Sequence, residues 1–370
     1  MIEEIKVKSP GRINLIGEHT DYNDGFVLPA AIDKAMKVHL KLNSTAHIVN
    51  VYAIDLNERY TINLNHLEKI NSGWQNYVIG VIHQLKVINP NIAGFDLSFG
   101  GTIPMGSGLS SSAALECSIA FAINELFDLK IKKEALINAC QKAEHNFVGT
   151  KCGVMDQFAS IMGKKDHVML LDCMNMNYKY YKIDLGQYEI LLLNTNVSHN
   201  LSESEYNLRR ETCETALQII KNTNPKVDSF RDLTLEQIND VREEIGEKGY
   251  RRSKHVLSEN QRVLNATNAL QNKNIVELGI LMYQSHESLS NDFQVSCEEL
   301  DFLVDQTKGL EYVLGSRMMG GGFGGCTINL IHKEFIDQFI DNISKSYSAK
   351  FGIALSPYLV SIENGTSIIK

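Results

Sequence analysis

Four side chains in segment 11–29 could hold a small polar ligand. The segment reads GRINLIGEHTDYNDGFVLP and contains Arg12, Glu18, His19 and Asp21. Together they offer donors, acceptors and both charge signs, which suits a hydroxyl-rich ligand held by hydrogen bonds rather than by apolar burial. Apolar, strand-like runs flank the segment, so we expect a binding loop on a rigid scaffold. Taken singly, each residue also fits an ordinary charged surface loop.

A second segment, residues 104–116, could bind an anion. It reads PMGSGLSSSAALE, in which Gly106 and Gly108 permit a tight turn and an apolar-periodic helix follows at once. Backbone N–H groups and the helix dipole would converge on the loop. It is not a Walker A loop, and the H-R-D and D-F-G elements of protein kinases do not occur. A plain turn with an N-cap serine is the alternative.

Glycines dominate a third segment, residues 315–327, which reads GSRMMGGGFGGCT. Gly320, Gly322 and Gly325 satisfy G-x-G-x-x-G, but a strand-like run follows them late in the chain. A dinucleotide fingerprint needs a helix there and a strand before it, so we reject that interpretation. The glycines are equally compatible with close backbone packing alone.

These segments resemble the motifs of one kinase family. Segment 11–29 matches the galactokinase signature GRxNLIGEHTDYNxGFVLP almost without a gap, and P-x-G-x-G-L-S-S-S-A resembles the phosphate loop of the galactokinase, homoserine kinase, mevalonate kinase and phosphomevalonate kinase superfamily. Segment 315–327 resembles the third motif of that superfamily, and segments 198–210 (SHNLSESEYNLRR) and 285–301 match galactokinases too. Residues 221–250 match least. We refer below to residues 11–29 as the signature loop, 104–112 as the phosphate loop and 319–325 as the glycine loop.

The resemblance implies that ATP phosphorylates the anomeric hydroxyl of α-D-galactose, giving galactose 1-phosphate. Asp156 would accept the hydroxyl proton, and Arg12 would orient Asp156 and stabilise charge on the transferring group. Whether Asp156 removes the proton fully or mainly aligns the sugar stays open. By the same resemblance, Asp21 would bind O3 and O4, Tyr206 would contact the sugar near O4, and Glu18 and His19 would hold O6.

The resemblance also implies how ATP and Mg²⁺ are bound. Ser112 and Glu144 would bind the metal, although the choice among the three consecutive serines stays open. The implied ATP-binding residues are Gly106, Ser107, Gly108, Leu109, Ser110, Ser111, Ser112 and Trp74. An apolar helix stripe explains Trp74 equally well.

Hydrophobic periodicity predicts the elements that position these residues. Strands are predicted at 36–42, 95–99, 168–171, 190–193, 326–331 and 358–362, and helices at 74–85, 115–126, 132–147, 203–221, 252–292 and 334–347. The order lacks a regular βαβα rhythm, which indicates an α+β fold. The resemblance implies a ribosomal-protein-S5-like domain over 1–180 that binds galactose and ATP, a ferredoxin-like domain over 181–355, a cleft between them, and a final strand within 356–370 that returns to the first domain.

Bulk composition excludes several classes of function. With 370 residues, 44% hydrophobic and 22% charged, the chain is an ordinary globular protein, and its net charge of −8 argues against nucleic acid or anionic membrane as a partner. No apolar run approaches about 18 residues, and the N-terminal residues do not resemble a signal or transit peptide. The seven cysteines form no C-x-x-C pair, so a disulfide framework or zinc site is not expected. We expect a cytoplasmic monomer.

Two alternatives to a galactose kinase are open. A kinase for N-acetylgalactosamine or arabinose is the nearest, but HTDYN at residues 19–23 favours galactose, because acetamido-sugar kinases depart from it. A galactose-sensing regulator without catalysis belongs to a different class. Such sensors lose part of the Ser-Ala region of the phosphate loop, whereas GLSSSAA is complete here.

Overall fold

The computed structural model of this protein describes residues 3–104, 106–198 and 202–369, and it leaves the side chains of residues 198, 202 and 203 undescribed. The strands are β1 (Glu4–Asn14), β2 (Phe26–Val27), β3 (Pro29–Leu42), β4 (Ile48–Ala53), β5 (Glu58–Asn63), β6 (Phe95–Gly101), β7 (His167–Asp172), β8 (Asn177–Lys182), β9 (Tyr188–Ser198), β10 (Val313–Met318), β11 (Gly324–His332), β12 (Ser356–Val360) and β13 (Ser367–Ile368). The α-helices are α1 (Gln75–Ile88), α2 (Ser111–Leu126), α3 (Lys133–Ala143), α4 (Met155–Met162), α5 (Ser202–Thr223), α6 (Leu235–Asp240), α7 (Arg242–Gln271), α8 (Ile275–Ser288), α9 (Glu298–Asp305) and α10 (Ile336–Phe351).

The first sheet carries the signature loop between two of its strands. Its strand order is β13-β1-β3-β6-β4-β5, and its pairs are antiparallel except the parallel pair of β4 and β6. Along β3, Val38 and Leu40 are buried and Lys37 is exposed, as the predicted alternation requires. Helices α2 and α4 contact β1 and β3. A rigid sheet and two helices therefore hold both ends of the loop.

The second sheet is buried on both faces. Its antiparallel order is β10-β11-β9-β12. On β9, Leu191 and Leu193 pack in one apolar cluster with α9 and α10, whereas Ile190 and Leu192 belong to the cluster shared with the first sheet and its helices. Double burial explains why this strand reads as a continuous apolar run rather than an alternating one. A third, smaller sheet has the order β2-β7-β8. The α+β prediction is confirmed.

The C-terminal residues contribute to both large sheets. β12 pairs with β9 in the second sheet, and β13 pairs with β1 in the first. An isolated bridge between Ile32 and Ile362 lies between these two pairings. The strand predicted at 358–362 therefore belongs to the second sheet, and a separate short strand is the one that joins the first.

The long helix predicted at 252–292 is interrupted. α7 ends at Gln271 and α8 begins at Ile275, with Lys273 in the left-handed region (φ 55°) between them. The Asn274 side chain accepts from the backbone N–H of Glu277 at 3.1 Å and so caps α8. This interruption turns the chain, so that α7 and α8 contact each other.

Other sequence predictions are matched within a few residues. α5 covers the helix predicted at 203–221, although residues 199–201 of the matched segment 198–210 lie outside the described residues. The polar stretch 221–250 forms α6 and the start of α7, and Thr234 caps α6 with a capping box. Within the described ranges, no helix combines the length and apolarity that crossing a membrane requires.

Candidate active site

Arg12 and Asp156 form a two-point ion pair at the centre of the predicted site. Arg12 lies near the end of β1, and Asp156 lies in the first turn of α4. The Arg12 Nε donates to Asp156 Oδ1 at 2.6 Å, and Nη2 donates to Oδ2 at 2.9 Å. Burial alone would lower the pKa of Arg12, but the Asp156 charge and hydrogen bonds raise it above its ordinary value. The charged guanidinium therefore gives the carboxylate a fixed orientation.

The phosphate loop packs directly against this pair. The Arg12 Nη1 donates to the carbonyl oxygen of Gly108 at 2.7 Å, and the Arg12 backbone N–H donates to the carbonyl oxygen of Leu109 at 3.2 Å. This approach requires glycine at position 11, because a Cβ on Gly11 would lie 2.6 Å from the Leu109 carbonyl oxygen. Glycine at the first position of the signature loop therefore allows this loop to pack against the phosphate loop.

Ser110 connects the phosphate loop to the same carboxylate. It precedes α2 with φ 58°, and its side chain makes no capping hydrogen bond to that helix. Instead, Ser110 Oγ donates to Asp156 Oδ2 at 2.5 Å. Ser107 Oγ donates to a carbonyl within the loop at 2.6 Å. The N terminus of α2 is therefore not closed by its own cap residue, which favours an anion there.

The predicted metal ligands Ser112 and Glu144 are neighbours. Ser112 follows Ser111 in the first turn of α2, and Glu144 begins the π-helical turn Glu144–Val148. Ser112 Oγ donates to Glu144 Oε1 at 3.3 Å. Desolvation and the charge of Asp156 raise the pKa of Glu144 to about 7. A nearby cation would relieve this unfavourable environment.

This donor set fits Mg²⁺. In the part of the chain that the structure describes, no group of three or more His, Cys, Asp and Glu side chains is placed to hold a metal. The protein would therefore supply one hydroxyl and one carboxylate, and phosphate oxygens and waters would supply the rest. Mg²⁺ is commonly bound in this way, with one or two carboxylates, substrate phosphates and several retained waters.

A second, fully buried carboxyl group lies behind Glu144. The Gln157 Nε2 donates to Glu144 Oε2 at 2.9 Å and to Glu116 Oε2 at 3.2 Å. Burial and the charge of Glu144 raise the pKa of Glu116 well above its ordinary value, which favours the protonated carboxyl. Gln157 thereby fixes the position of Glu144. Neither Gln157 nor Glu116 was identified from the sequence. Glu116, for example, is one more polar position on α2, and nothing near it in the chain indicates its partner.

Asp21 presents its carboxylate to the cleft beside Gly153. It begins the 3₁₀ turn Asp21–Asn23. A Cβ on Gly153 would fall 2.0 Å from Asp21 Oδ2 and 2.7 Å from Asp21 Cβ, so only glycine leaves room for this side chain. Desolvation and the charge of Asp156 raise the pKa of Asp21 to about 7. A carboxylate in this environment gains from accepting hydrogen bonds from ligand hydroxyls.

His19 and Tyr206 form an aromatic wall of the cleft. His19 has φ 63°, and its Nδ1 is hydrogen-bonded to the Tyr22 hydroxyl at 2.7 Å. The His19 ring lies 5.5 Å from that of Tyr206, and Tyr22 lies 5.4 Å from Tyr206 edge-to-face. The His19 Nε2 is buried and makes no hydrogen bond of normal geometry to any described residue. Burial lowers the pKa of His19 to about 3, so a neutral imidazole lines the cleft.

Glu18 is engaged by the protein itself. Its Oε1 accepts from the backbone N–H of Gly320 at 2.7 Å, and its Oε2 accepts from the Asn14 amide and from Arg317 Nη2, the latter at 3.0 Å. Burial raises the pKa of Glu18 above its ordinary value, and Arg317 and the Gly320 N–H oppose that rise. The carboxylate is therefore fixed by three donors before any ligand binds.

A cleft of about 120 Å³ brings the predicted residues together. It is lined by Arg12, Glu18, His19, Asp21, Glu144, Thr150, Cys152, Met155, Asp156, Tyr206, Gly320 and Gly321. The predicted catalytic and sugar-binding residues all line it, together with Glu144. A larger groove of about 490 Å³ elsewhere on the surface shares none of these residues. Convergent polar groups, rather than volume, therefore identify the site.

Trp74 lies apart from this cleft. It precedes α1, its indole N–H donates to Glu58 Oε2 at 2.6 Å, and its ring packs edge-to-face on Phe99 at 5.2 Å. Phe99 lies on β6, the strand that leads into the phosphate loop. Trp74 therefore belongs to a half-buried aromatic cluster on the phosphate-loop side of the molecule.

Three polar side chains of α7 hold the signature loop from behind. The backbone N–H of Gly17 donates to Glu259 Oε1 at 2.9 Å, that of Phe26 donates to Asn260 Oδ1 at 2.7 Å, and His255 Nε2 contacts the Glu18 carbonyl oxygen at 3.1 Å. These three residues were not identified from the sequence, because no local pattern in residues 255–260 (HVLSEN) shows which backbone groups they contact. Their signal is polarity on a helix face that also carries the buried Val256 and Val263.

The electrostatics of these residues fix their hydrogen-bond roles. Burial lowers the pKa of His255 to about 4, so the ring is neutral and its Nε2–H donates to the Glu18 carbonyl while Nδ1 accepts from Ser288 Oγ. Burial alone would raise the pKa of Glu259, but Arg262 and His255 lower it to about 2. Glu259 therefore stays an acceptor at all ordinary pH values.

Comparisons with known proteins agree with this geometry. Residues 3–41 match the galactokinase galactose-binding signature, residues 76–164 the GHMP kinases N terminal domain, and residues 266–349 the GHMP kinases C terminal family. A galactokinase of Thermosipho africanus is 43% identical over 99% of this chain and 100% of its own length, and one of Thermotoga petrophila is 42% identical over 99% and 100%. The crystal structure of Lactococcus lactis galactokinase complexed with galactose has a TM-score of 0.94 at 35% identity, covering 99% of this chain and 95% of that one.

Proposed function

The chain belongs to the galactokinase family of the GHMP kinases, and on that premise we propose that it transfers the γ-phosphoryl group of ATP to the anomeric hydroxyl of α-D-galactose. One observation carries the proposal. Arg12 joins the carboxylate of Asp156 to the carbonyl of Gly108 in the phosphate loop. The groups that would face the sugar hydroxyl and the nucleotide phosphates are therefore tied to one guanidinium.

The sugar would lie in the cleft that the signature loop and Tyr206 line. Asp21 would accept bonds from neighbouring hydroxyls, and the neutral His19 Nε2 would contact another hydroxyl. This leaves the anomeric hydroxyl toward Asp156, the carboxylate that Arg12 orients. The buried carboxylate of Glu18 would hold the loop in place. Its Oε1 already accepts from the backbone N–H of Gly320, so its contact with the sugar would be limited to O6.

The phosphoryl group would be transferred beside Arg12. Its transition state is loose, with charge spread over the equatorial oxygens, so positioning and charge neutralisation matter most. The phosphate loop and the uncapped N terminus of α2 would bind the phosphates of ATP. The fixed positive charge of Arg12 would stabilise charge that develops during transfer. Asp156 would take the proton of the hydroxyl, early or late in the step.

Mg²⁺ would be held by Ser112 and Glu144 together with phosphate oxygens of ATP. When bound, it neutralises phosphate charge. Gln157, which also donates to Glu116, would keep Glu144 in place for it. Trp74 would line the nucleotide side of the site.

Glu144→Gln should raise the Mg²⁺ concentration that gives half-maximal rate. The amide keeps the shape of the side chain but removes the negative charge that attracts the cation, so excess Mg²⁺ should restore part of the activity. Initial rates measured across a Mg²⁺ titration at saturating ATP and galactose test this. An unchanged Mg²⁺ dependence would show that Glu144 is not a ligand. Glu125→Gln, at an ordinary position on α2, is the matched control.

Galactose should bind more tightly as pH rises through about 7. The pKa of Asp21 is raised to about 7 by desolvation and Asp156, so below that pH the side chain is largely protonated and loses acceptor capacity. Arg12 and Glu18 also act on this group. The dissociation constant of galactose, measured by calorimetry without metal from about pH 6 to about pH 8, should fall and then level. Asp21→Asn should flatten the profile, whereas an unchanged slope in that variant would assign the titration to another group.

A coupled ADP-release assay on galactose, N-acetylgalactosamine, arabinose and glucose tests the proposal. Galactose should give the highest kcat/KM. A preference for N-acetylgalactosamine or arabinose would reassign the substrate within the family. Galactose binding without ADP release, in a protein that binds ATP, would identify a non-catalytic sensor.

We further propose a cytoplasmic monomer with domains at 1–180 and 181–355 and a terminal segment at 356–370. All seven cysteines are free thiols, which suits a reducing compartment. The large apolar side chains that are exposed lie at scattered positions such as Ile54, Val87 and Leu264, as is normal for a monomer surface. Sedimentation measurements test the oligomeric state.

A further inference from the structure

Arg317 is a fully buried arginine that reaches from β10 into the signature loop. It lies near the end of β10, just before the glycine loop, and its side chain is 0% exposed. Its Nε donates to the carbonyl oxygen of Leu15 at 2.8 Å, and Nη2 donates to that of Asn14 at 2.5 Å. Nη1 donates to the carbonyl oxygen of Met318 at 2.6 Å. One guanidinium thus holds two consecutive carbonyls that lie about 300 residues away in sequence.

The same guanidinium pairs with Glu18. Its Nη2 lies 3.0 Å from Glu18 Oε2, and the other carboxylate oxygen accepts from the backbone N–H of Gly320. Arg317 and Gly320 flank the start of the glycine loop, so the loop is joined to Glu18 at two points. The signature loop forms one wall of the cleft with His19 and Asp21, and Gly320 and Gly321 contribute to another.

A structural role alone does not explain this pair. Taking both charges out of water is costly, and apolar side chains of similar volume often give equal or greater stability than a buried ion pair. A lysine could supply the charge but not the planar fork that matches two carbonyls and a carboxylate at once. Such an arrangement suits a role in setting the geometry of a loop.

We propose that Arg317 is a positioning residue for sugar binding: it holds the signature loop at residues 14, 15 and 18 and thereby sets the spacing between Asp21 and His19 on one wall of the cleft and the glycine loop on the other. The inference rests on the proposed galactose kinase function. His255, Glu259 and Asn260 of α7 hold other backbone groups of the loop. They do not reach the Glu18 carboxylate or the Asn14 and Leu15 carbonyls, so their contacts do not replace those of Arg317.

Arg317→Lys tests the proposal, with galactose affinity measured by calorimetry in the presence of ADP. Lysine keeps the charge and loses the fork, so we expect the dissociation constant of galactose to rise about tenfold or more. The dissociation constant of ADP should change less than about twofold, because none of the hydrogen bonds and ion pairs of Arg317 reaches a described residue of the phosphate loop. Arg251→Lys is the control, since Arg251 also forms an ion pair, with Glu247 at 2.7 Å, but is exposed on α7 and does not line the cleft.

The double variant Glu18→Gln, Arg317→Met separates positioning from stability. Each single change leaves one buried charge without its partner, so each should lower the unfolding midpoint more than the double variant does. Because Glu18 itself lines the cleft, the galactose affinity of the double variant is compared with that of Glu18→Gln alone. Under the proposal, the double variant is more stable than either single variant but binds galactose more weakly than Glu18→Gln does. Equal galactose affinity in the double variant and Glu18→Gln, or an unchanged affinity in Arg317→Lys, would overturn the proposal. If the unaltered protein binds ADP but not galactose, the proposed function itself fails, which is a distinguishable result.

Discussion

Asp156→Asn is expected to lower turnover by about 10²-fold or more while ADP and galactose still bind. Asparagine keeps the shape of the side chain but removes the charge that would accept the proton of the anomeric hydroxyl. It also replaces one of the two oxygens that Arg12 binds at 2.6 and 2.9 Å, so the guanidinium loses its fixed direction. Single-turnover rates with ATP and galactose measure the effect on the chemical step.

Asp166→Asn is the matched control for this variant. Asp166 is an exposed carboxylate between α4 and β7, and asparagine tolerates its left-handed backbone with φ 57°, so turnover should be unchanged. Asp156 lies in the first turn of α4, where a carboxylate also favours the helix dipole by about 0.3–1 kcal/mol. If Asp156→Asn lost only that much stability and turned over normally once folded, Asp156 would have no part in the mechanism.

Local patterns located the individual loops of the site because each loop carries its chemistry within about twenty residues. The glycines and serines of the phosphate loop predict a tight turn before a helix, and α2 begins at Ser111. The continuous apolar run at 190–193 marked a strand because both of its faces are buried. The resemblance supplied what periodicity cannot, namely that Glu144 and Asp156 would lie in one cleft with Arg12.

The sequence did not predict the contacts between distant segments of the chain. Nothing near Arg317 in the chain indicates that it binds the carbonyls of Asn14 and Leu15, and the polar residues of α7 do not reveal that they face Gly17 and Phe26. A hydrogen bond to a backbone group leaves no mark on the partner's side chain, so its residue type carries no information about the pairing. The interruption at residues 272–274 escaped notice because Asn-Lys-Asn resembles the polar face of a continuous helix until the cap by Asn274 is seen.

Asp21→Ala is expected to narrow the preference for galactose over glucose. The two sugars differ only in the direction of the C4 hydroxyl, so discrimination needs a polar group that one epimer satisfies and the other leaves unpaired. Asp21 lies in the cleft, and glycine at position 153 leaves the room that its carboxylate occupies. Losing it should lower kcat/KM for galactose by about 10²-fold or more and lower the already small value for glucose much less.

Both sugars should be assayed with one preparation, so that errors in active-enzyme concentration cancel in the ratio. Asp24→Asn is the control, because Asp24 is an exposed carboxylate three residues further along the same loop, and asparagine tolerates its left-handed backbone with φ 56°. That variant should keep the galactose-to-glucose ratio. If folded Asp21→Ala also keeps the ratio, the carboxylate of Asp21 does not read C4, and the discriminating contact must come from elsewhere in the cleft. Tyr206 should then be tested next, because it packs against Tyr22 and His19 in the wall of the same cleft.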